Sequence, residues 1–271
     1  MSTGQTVLLG AIAGLTIFLG LPMGRIRTRG HRTKTFLAGV SAGILVFLFF
    51  DILKNATEPL EKAVRAGDWG RLTGIGLIFG VGLGVGLLGL LYVSRMWRRR
   101  PIPASLGPGA MAVAEAPDRS REALRVGMSI ATGIGLHNFS EGLAIGQAAH
   151  TGEVSLALLL VIGFGLHNAT EGFGIVGPLA AADVRATWGW LVLAGIVGGG
   201  PTFLGTLVGT SISSAYVFVA FLALAAGAIL YVVGELFNAG RRMSWEVTLW
   251  GVLVGFLVGL ATELVVVAAG V

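Results

Sequence analysis

The chain has 271 residues, 54% hydrophobic and 12% charged, and contains no cysteine. A soluble domain carries about 25% charged residues, so a water-exposed globule is excluded, and disulfide frameworks and thiolate metal sites are excluded with it. The net charge of +5 does not mark a nucleic-acid binder, because the basic residues sit in short loops between long apolar runs. That is the pattern of a polytopic α-helical membrane protein.

Eight apolar segments follow one another, over about 6–23, 35–53, 72–94, 123–150, 154–180, 187–210, 215–237 and 245–269. Most approach the roughly 20 residues needed to cross a hydrocarbon layer of about 30 Å. The first begins after MSTGQ, which lacks the positive region of a cleaved signal peptide, and is read as a permanent span. The third carries a glycine run, GIGLIFGVGLGVGLLG over 74–89, which suits close helix packing through small residues. No strand precedes it, so a nucleotide-binding reading is rejected.

Loop charge orients the spans. Arg25, Arg27, Arg29, Arg32 and Lys34 follow span one, and Arg95, Arg98, Arg99, Arg100, Arg119, Arg121 and Arg125 flank the connector after span three. Arg185 follows span five, and Arg241 and Arg242 follow span seven. Only Lys54, Lys62, Arg65 and Arg71 fall on the other side. The positive-inside rule then places the odd-numbered joins in the cytoplasm and both termini outside. The longest connector, 95–121, holds Pro101, Pro103, Pro108 and Pro117 and reads as a flexible cytoplasmic linker with too little apolar content for a core. The expected fold is therefore all-α, one transmembrane domain over 1–271 with eight helices in the bilayer.

Within span four stands GIGLHNFSEGLAI (133–145), and within span five GFGLHNATEGFGI (163–175). Each copy places a His and a Glu four residues apart, His137 with Glu141 and His167 with Glu171, which puts the pair on one helix face. Ionisable groups in apolar helices cost roughly 2.5–3.5 kcal/mol each on insertion scales, so a matched set of four points to function rather than to helix glue. The very short turn near Thr151–Gly152 makes the two spans antiparallel neighbours and brings both motifs to the same depth. Two imidazoles and two carboxylates suit a borderline divalent ion, Zn²⁺ first. Asn138 and Asn168, about 100° further round, have an amide oxygen for the same ion, a second ion or a neighbouring helix. The same donors without metal suit a proton relay, and with an open position they suit an intramembrane metal-dependent hydrolase. The two-plus-two set leaves that hydrolase no spare general base.

HNFSEG and HNATEG resemble the paired HNxPEG-type signatures in spans four and five of the ZIP (Zrt-/Irt-like) family of divalent metal transporters, in its GufA-like prokaryotic form. The eight spans, outside termini and variable loop after span three agree with it. The resemblance implies uptake of Zn²⁺, or of Cd²⁺, Fe²⁺ or Mn²⁺, into the cytoplasm across the cell membrane. It implies an elevator-like alternating access in which one helix group moves against a scaffold group, often within a homodimer. The chain departs from the pattern where Ser140 and Thr170 replace the motif's proline. It also departs at Asn168 and Gly200-Pro201, where relatives carry acids for a second metal position; one strong site is expected.

Three other acidic residues are candidates for the pathway: Asp51 at the outer end of span two, Glu235 near the cytoplasmic end of span seven, and Glu263 within span eight. His150 and His31 read as boundary and loop residues, and Trp188, Trp190, Trp245 and Trp250 as interfacial anchors.

Overall fold

The computed structural model describes residues 1–25, 30–98, 119–212 and 214–268. The prolines of the 95–121 connector, together with Arg27, Arg29, Arg99 and Arg100, lie outside the described residues, as does the side chain of His31. Eight helices fill the rest: α1 (Thr3–Arg25), α2 (His31–Arg65), α3 (Trp69–Arg98), α4 (Arg119–His150), α5 (Val154–Ala182), α6 (Trp188–Gly209), α7 (Ala215–Met243) and α8 (Trp245–Ala268). Seven are long and apolar enough to cross a membrane. The eighth, α4, has the length at 32 residues. Its own His, Asn, Ser and Glu, and the charges of its first turns, dilute its hydropathy, and it packs against α5, α6 and α7.

Several helices run past the spans read from the sequence. The largest difference is in α2, which continues to Arg65, so Lys54, Lys62 and Arg65 are helical and not in a loop. Exposed i,i+4 pairs, Glu58–Lys62 at 2.7 Å and Glu61–Arg65 at 3.4 Å, support that extension. The α4–α5 turn is as short as expected, closed by Gly152 at φ 85°, a conformation in the left-handed region that glycine adopts without a Cβ penalty.

Packing divides the helices into two groups of four. One comprises α1, α4, α5 and α6, and the other α2, α3, α7 and α8; α2 against α5 and α4 against α7 join them. Within the first group the backbones of α4 and α6 touch. A Cβ on Gly142 would overlap the Thr202 carbonyl oxygen, and one on Gly205 the Phe139 carbonyl oxygen. Such contacts are what small residues permit where helices associate in lipid. In the second group α8 lies along α2, with Gly255 against the Val40 carbonyl and Gly259 against the Phe47 side chain.

The joint between the groups includes polar contacts. Pro178 in α5 has no N–H for the carbonyl of Gly174 one turn earlier, and the Ser41 hydroxyl of α2 donates to that oxygen at 2.6 Å, fully buried. Near the ends of the same two helices Lys34 pairs with Asp183 at 3.1 Å.

Candidate metal centre

Both motif copies are buried. His137, Asn138, Glu141, His167, Asn168 and Glu171 are each 7% exposed or less, and Glu171 is inaccessible. His137 Nε2 lies 3.3 Å from Glu141 Oε1, and His167 Nε2 lies 3.5 Å from Glu171 Oε1, as i,i+4 placement requires. The two imidazole rings stand 6.1 Å apart at a steep angle, which verifies the expected meeting of α4 and α5. One donor atom from each of His137, His167 and Glu171 falls within 4.8 Å of the others. Glu141 stands outside that triangle, beside His137.

Neither nitrogen of His137, nor His167 Nε2, Glu141 Oε2, nor either oxygen of Glu171 has a hydrogen-bond partner among the described residues. The large majority of buried side-chain polar atoms make hydrogen bonds, so this concentration of atoms without one at a single point is itself a signature. Imidazole and carboxylate are the donors a borderline divalent cation takes, and two carboxylates offset its charge where water is absent.

The asparagines act through nitrogen. Asn138 Nδ2 donates to the Gly198 carbonyl of α6 at 3.0 Å, three residues before Pro201, which lies inside that continuous helix. Asn168 Nδ2 donates to the Ala13 carbonyl of α1 at 3.0 Å, where α1 breaks at Thr16. Each copy thus ties its helix to the backbone of a neighbour, and neither buried Oδ1 has a hydrogen-bond partner among the described residues. The two residues in the proline positions differ: Thr170 Oγ1 donates back to the His167 carbonyl at 2.7 Å, whereas Ser140 Oγ has no hydrogen-bond partner among the described residues.

Asp51 lies on α2 one turn beyond Phe47, with Asn55 Nδ2 donating to its Oδ1 at 3.2 Å. Its charge acts on His137, Glu141 and Glu171. The α2–α8 register that sets Gly259 against Phe47 sets Glu263 opposite Asp51, and Glu263 also acts electrostatically on Glu141. Glu235 is remote from this cluster. It lines a narrow cleft between α7 and α4 with Arg125, Ser129 and Tyr231. His150 is exposed at the end of α4, and Trp188, Trp245 and Trp250 are exposed at or near helix starts, while Trp190 packs on the core. Sequence reading missed Phe47, whose ring lies 6.4 Å from that of His167. In the run FLFF only its four-residue spacing from Asp51 separated it from its neighbours.

A family model described as ZIP Zinc transporter matches residues 112–262, a stretch holding both motif copies. The zinc transporter ZupT of Streptococcus mutans serotype c is 29% identical over 262 residues, covering 93% of each chain. ZupT of Corynebacterium aurimucosum is 30% identical over 206 residues, 73% of this chain and 71% of that one. ZupT of Corynebacterium glutamicum is 30% identical over 214 residues, 72% and 75%. With its apolar helices these matches make the chain a multi-pass membrane transporter and not an enzyme. It belongs to the ZIP family of zinc transporters.

Proposed function

We propose that this chain carries Zn²⁺ into the cytoplasm by alternating access, and that His137, His167 and Glu171 seat the ion with Glu141 completing a four-donor shell. The observation that carries this reading is the convergence, on two antiparallel helices, of buried imidazole and carboxylate atoms that face one another and make no hydrogen bond among the described residues. With both termini outside, a cation reaches the seat past Glu263 and Asp51, sheds its water, and leaves near Glu235. Two neutral imidazoles favour zinc over Mg²⁺ and Ca²⁺, which take all-oxygen shells; Cd²⁺, Fe²⁺ and Mn²⁺ are the expected competitors.

The two helix groups supply the moving parts. Both motifs, and both helices to which the asparagines bond them, belong to α1, α4, α5 and α6, so the seat travels whole against α2, α3, α7 and α8. Release follows when protons compete for the imidazoles and carboxylates on the inner side, because these ligands bind metal only when deprotonated. Asn138 and Asn168 fix the two motif helices and leave their oxygens facing inward as auxiliary donors. With Asn168 and Gly200 where relatives carry acids, one strong site results. Zinc uptake into proteoliposomes, measured for wild type, His137→Ala and Glu171→Ala, tests the assignment. Loss of uptake in both variants is expected, and wild-type rates in both would overturn it.

A further inference from the structure

The donors of the site come from α4 and α5, but a third wall faces them from the other helix group. Phe47 of α2 is 6% exposed, its ring 6.4 Å from that of His167 and tilted by 54°. Phe256 of α8 packs against it edge-on at 5.6 Å. Gly259 holds it from behind, since a Cβ there would come within 2.6 Å of the ring. Phe47 therefore cannot swing toward α8. Asp51, four residues on, occupies the same face of α2 one turn away.

We propose, on the reading that His137, His167 and Glu171 seat the ion, that Phe47 is a specificity-determining residue: its fixed apolar ring keeps water off the α2 side of the site. An ion there is held by protein donors alone. Zn²⁺ accepts four-coordinate tetrahedral geometry without an electronic cost, whereas Mg²⁺ demands six ligands and dehydrates reluctantly, and octahedral oxygen shells also suit Mn²⁺. An aromatic wall offers such ions neither a ligand nor room for a water, so it discriminates by coordination number. A hydrophobic constriction that cations must pass without their shell acts in the same sense.

Two measurements on the purified full-length protein test this. In proteoliposomes, Phe47→Gln adds a donor and admits water, and the Zn²⁺:Mn²⁺ uptake ratio is expected to fall about tenfold, the effect of one ligand worth roughly 1.4 kcal/mol; Phe47→Leu is expected to hold the ratio within about twofold. In detergent, Co²⁺ bound to wild type and to Phe47→Leu is expected to show the intense visible bands of four-coordinate cobalt, and Phe47→Gln the weak bands of five or six ligands. An unchanged uptake ratio and a four-coordinate spectrum in Phe47→Gln would overturn the role of Phe47. If Phe47→Gln does not fold, a five- or six-coordinate spectrum in wild type overturns it equally. A cobalt spectrum that survives in His137→Ala would instead overturn the seat itself.

Discussion

Glu171 is the most informative residue to change, because its removal has opposite effects with and without metal. It is inaccessible to solvent and neither carboxylate oxygen makes a hydrogen bond among the described residues. Leaving a buried polar group unsatisfied costs about 1–3 kcal/mol. Glu171→Leu keeps a side chain of similar bulk and removes both oxygens. The metal-free protein should therefore gain about 1–3 kcal/mol, or roughly 2–12 °C in melting temperature at about 2–4 °C per kcal/mol for a chain of this size. Zinc at 100 times its dissociation constant stabilises wild type by about 2.7 kcal/mol; the variant, with the triangle reduced to two donors, should gain almost none. Thermal unfolding in detergent, followed by the fluorescence of the six tryptophans with chelator and with zinc, measures both quantities. A variant that melts lower than wild type in chelator, yet keeps the full zinc shift, refutes the reasoning and makes Glu171 a structural residue.

Three further outcomes are expected. Zinc affinity falls as pH falls, since protons compete for the imidazoles and carboxylates; titration calorimetry across a pH series measures this, and a flat response would exclude direct ligation by these groups. Gly142→Ala forces a Cβ onto the Thr202 carbonyl and should destabilise by about 1–3 kcal/mol, whereas Gly80→Ala, which meets nothing within 4 Å, should be nearly silent in the same melts. Lys34→Asp breaks the ion pair with Asp183, more than half exposed on the Asp183 side. Its strength of about 0–1 kcal/mol limits the change in transport rate to about fivefold, and the exchanged pair Lys34→Asp with Asp183→Lys should restore the wild-type rate.

Much of this architecture was legible in the residues. Apolar run length fixed the helices, and the two-residue turn at Thr151–Gly152 fixed the pairing of α4 with α5, because so short a link leaves no other neighbour in reach. The site followed from the i,i+4 His–Glu spacing within each copy. Helix ends were less legible: Lys54 to Arg65 carries charges that mark the edge of the bilayer but not the end of an amphipathic helix. Partnerships between distant helices were not legible either. Nearly every span offers small residues at helical spacing, so Gly255 could not be assigned to Val40, nor Asn168 to the Ala13 carbonyl. The same ambiguity hid Phe47, whose role depends on which helix lies beside α5. Spacing alone also left Glu141 level with the other three donors, because helix rotation decides which carboxylate enters the triangle.

The backbone contact between α4 and α6 has a consequence for where the molecule can bend. Where Gly142 meets Thr202 and Gly205 meets Phe139 without intervening side chains, the two helices have no soft layer through which to shear, so they behave as one plate. On the proposed function, the rearrangement that changes access then falls at the seams between the two helix groups, where α2 meets α5 and α4 meets α7.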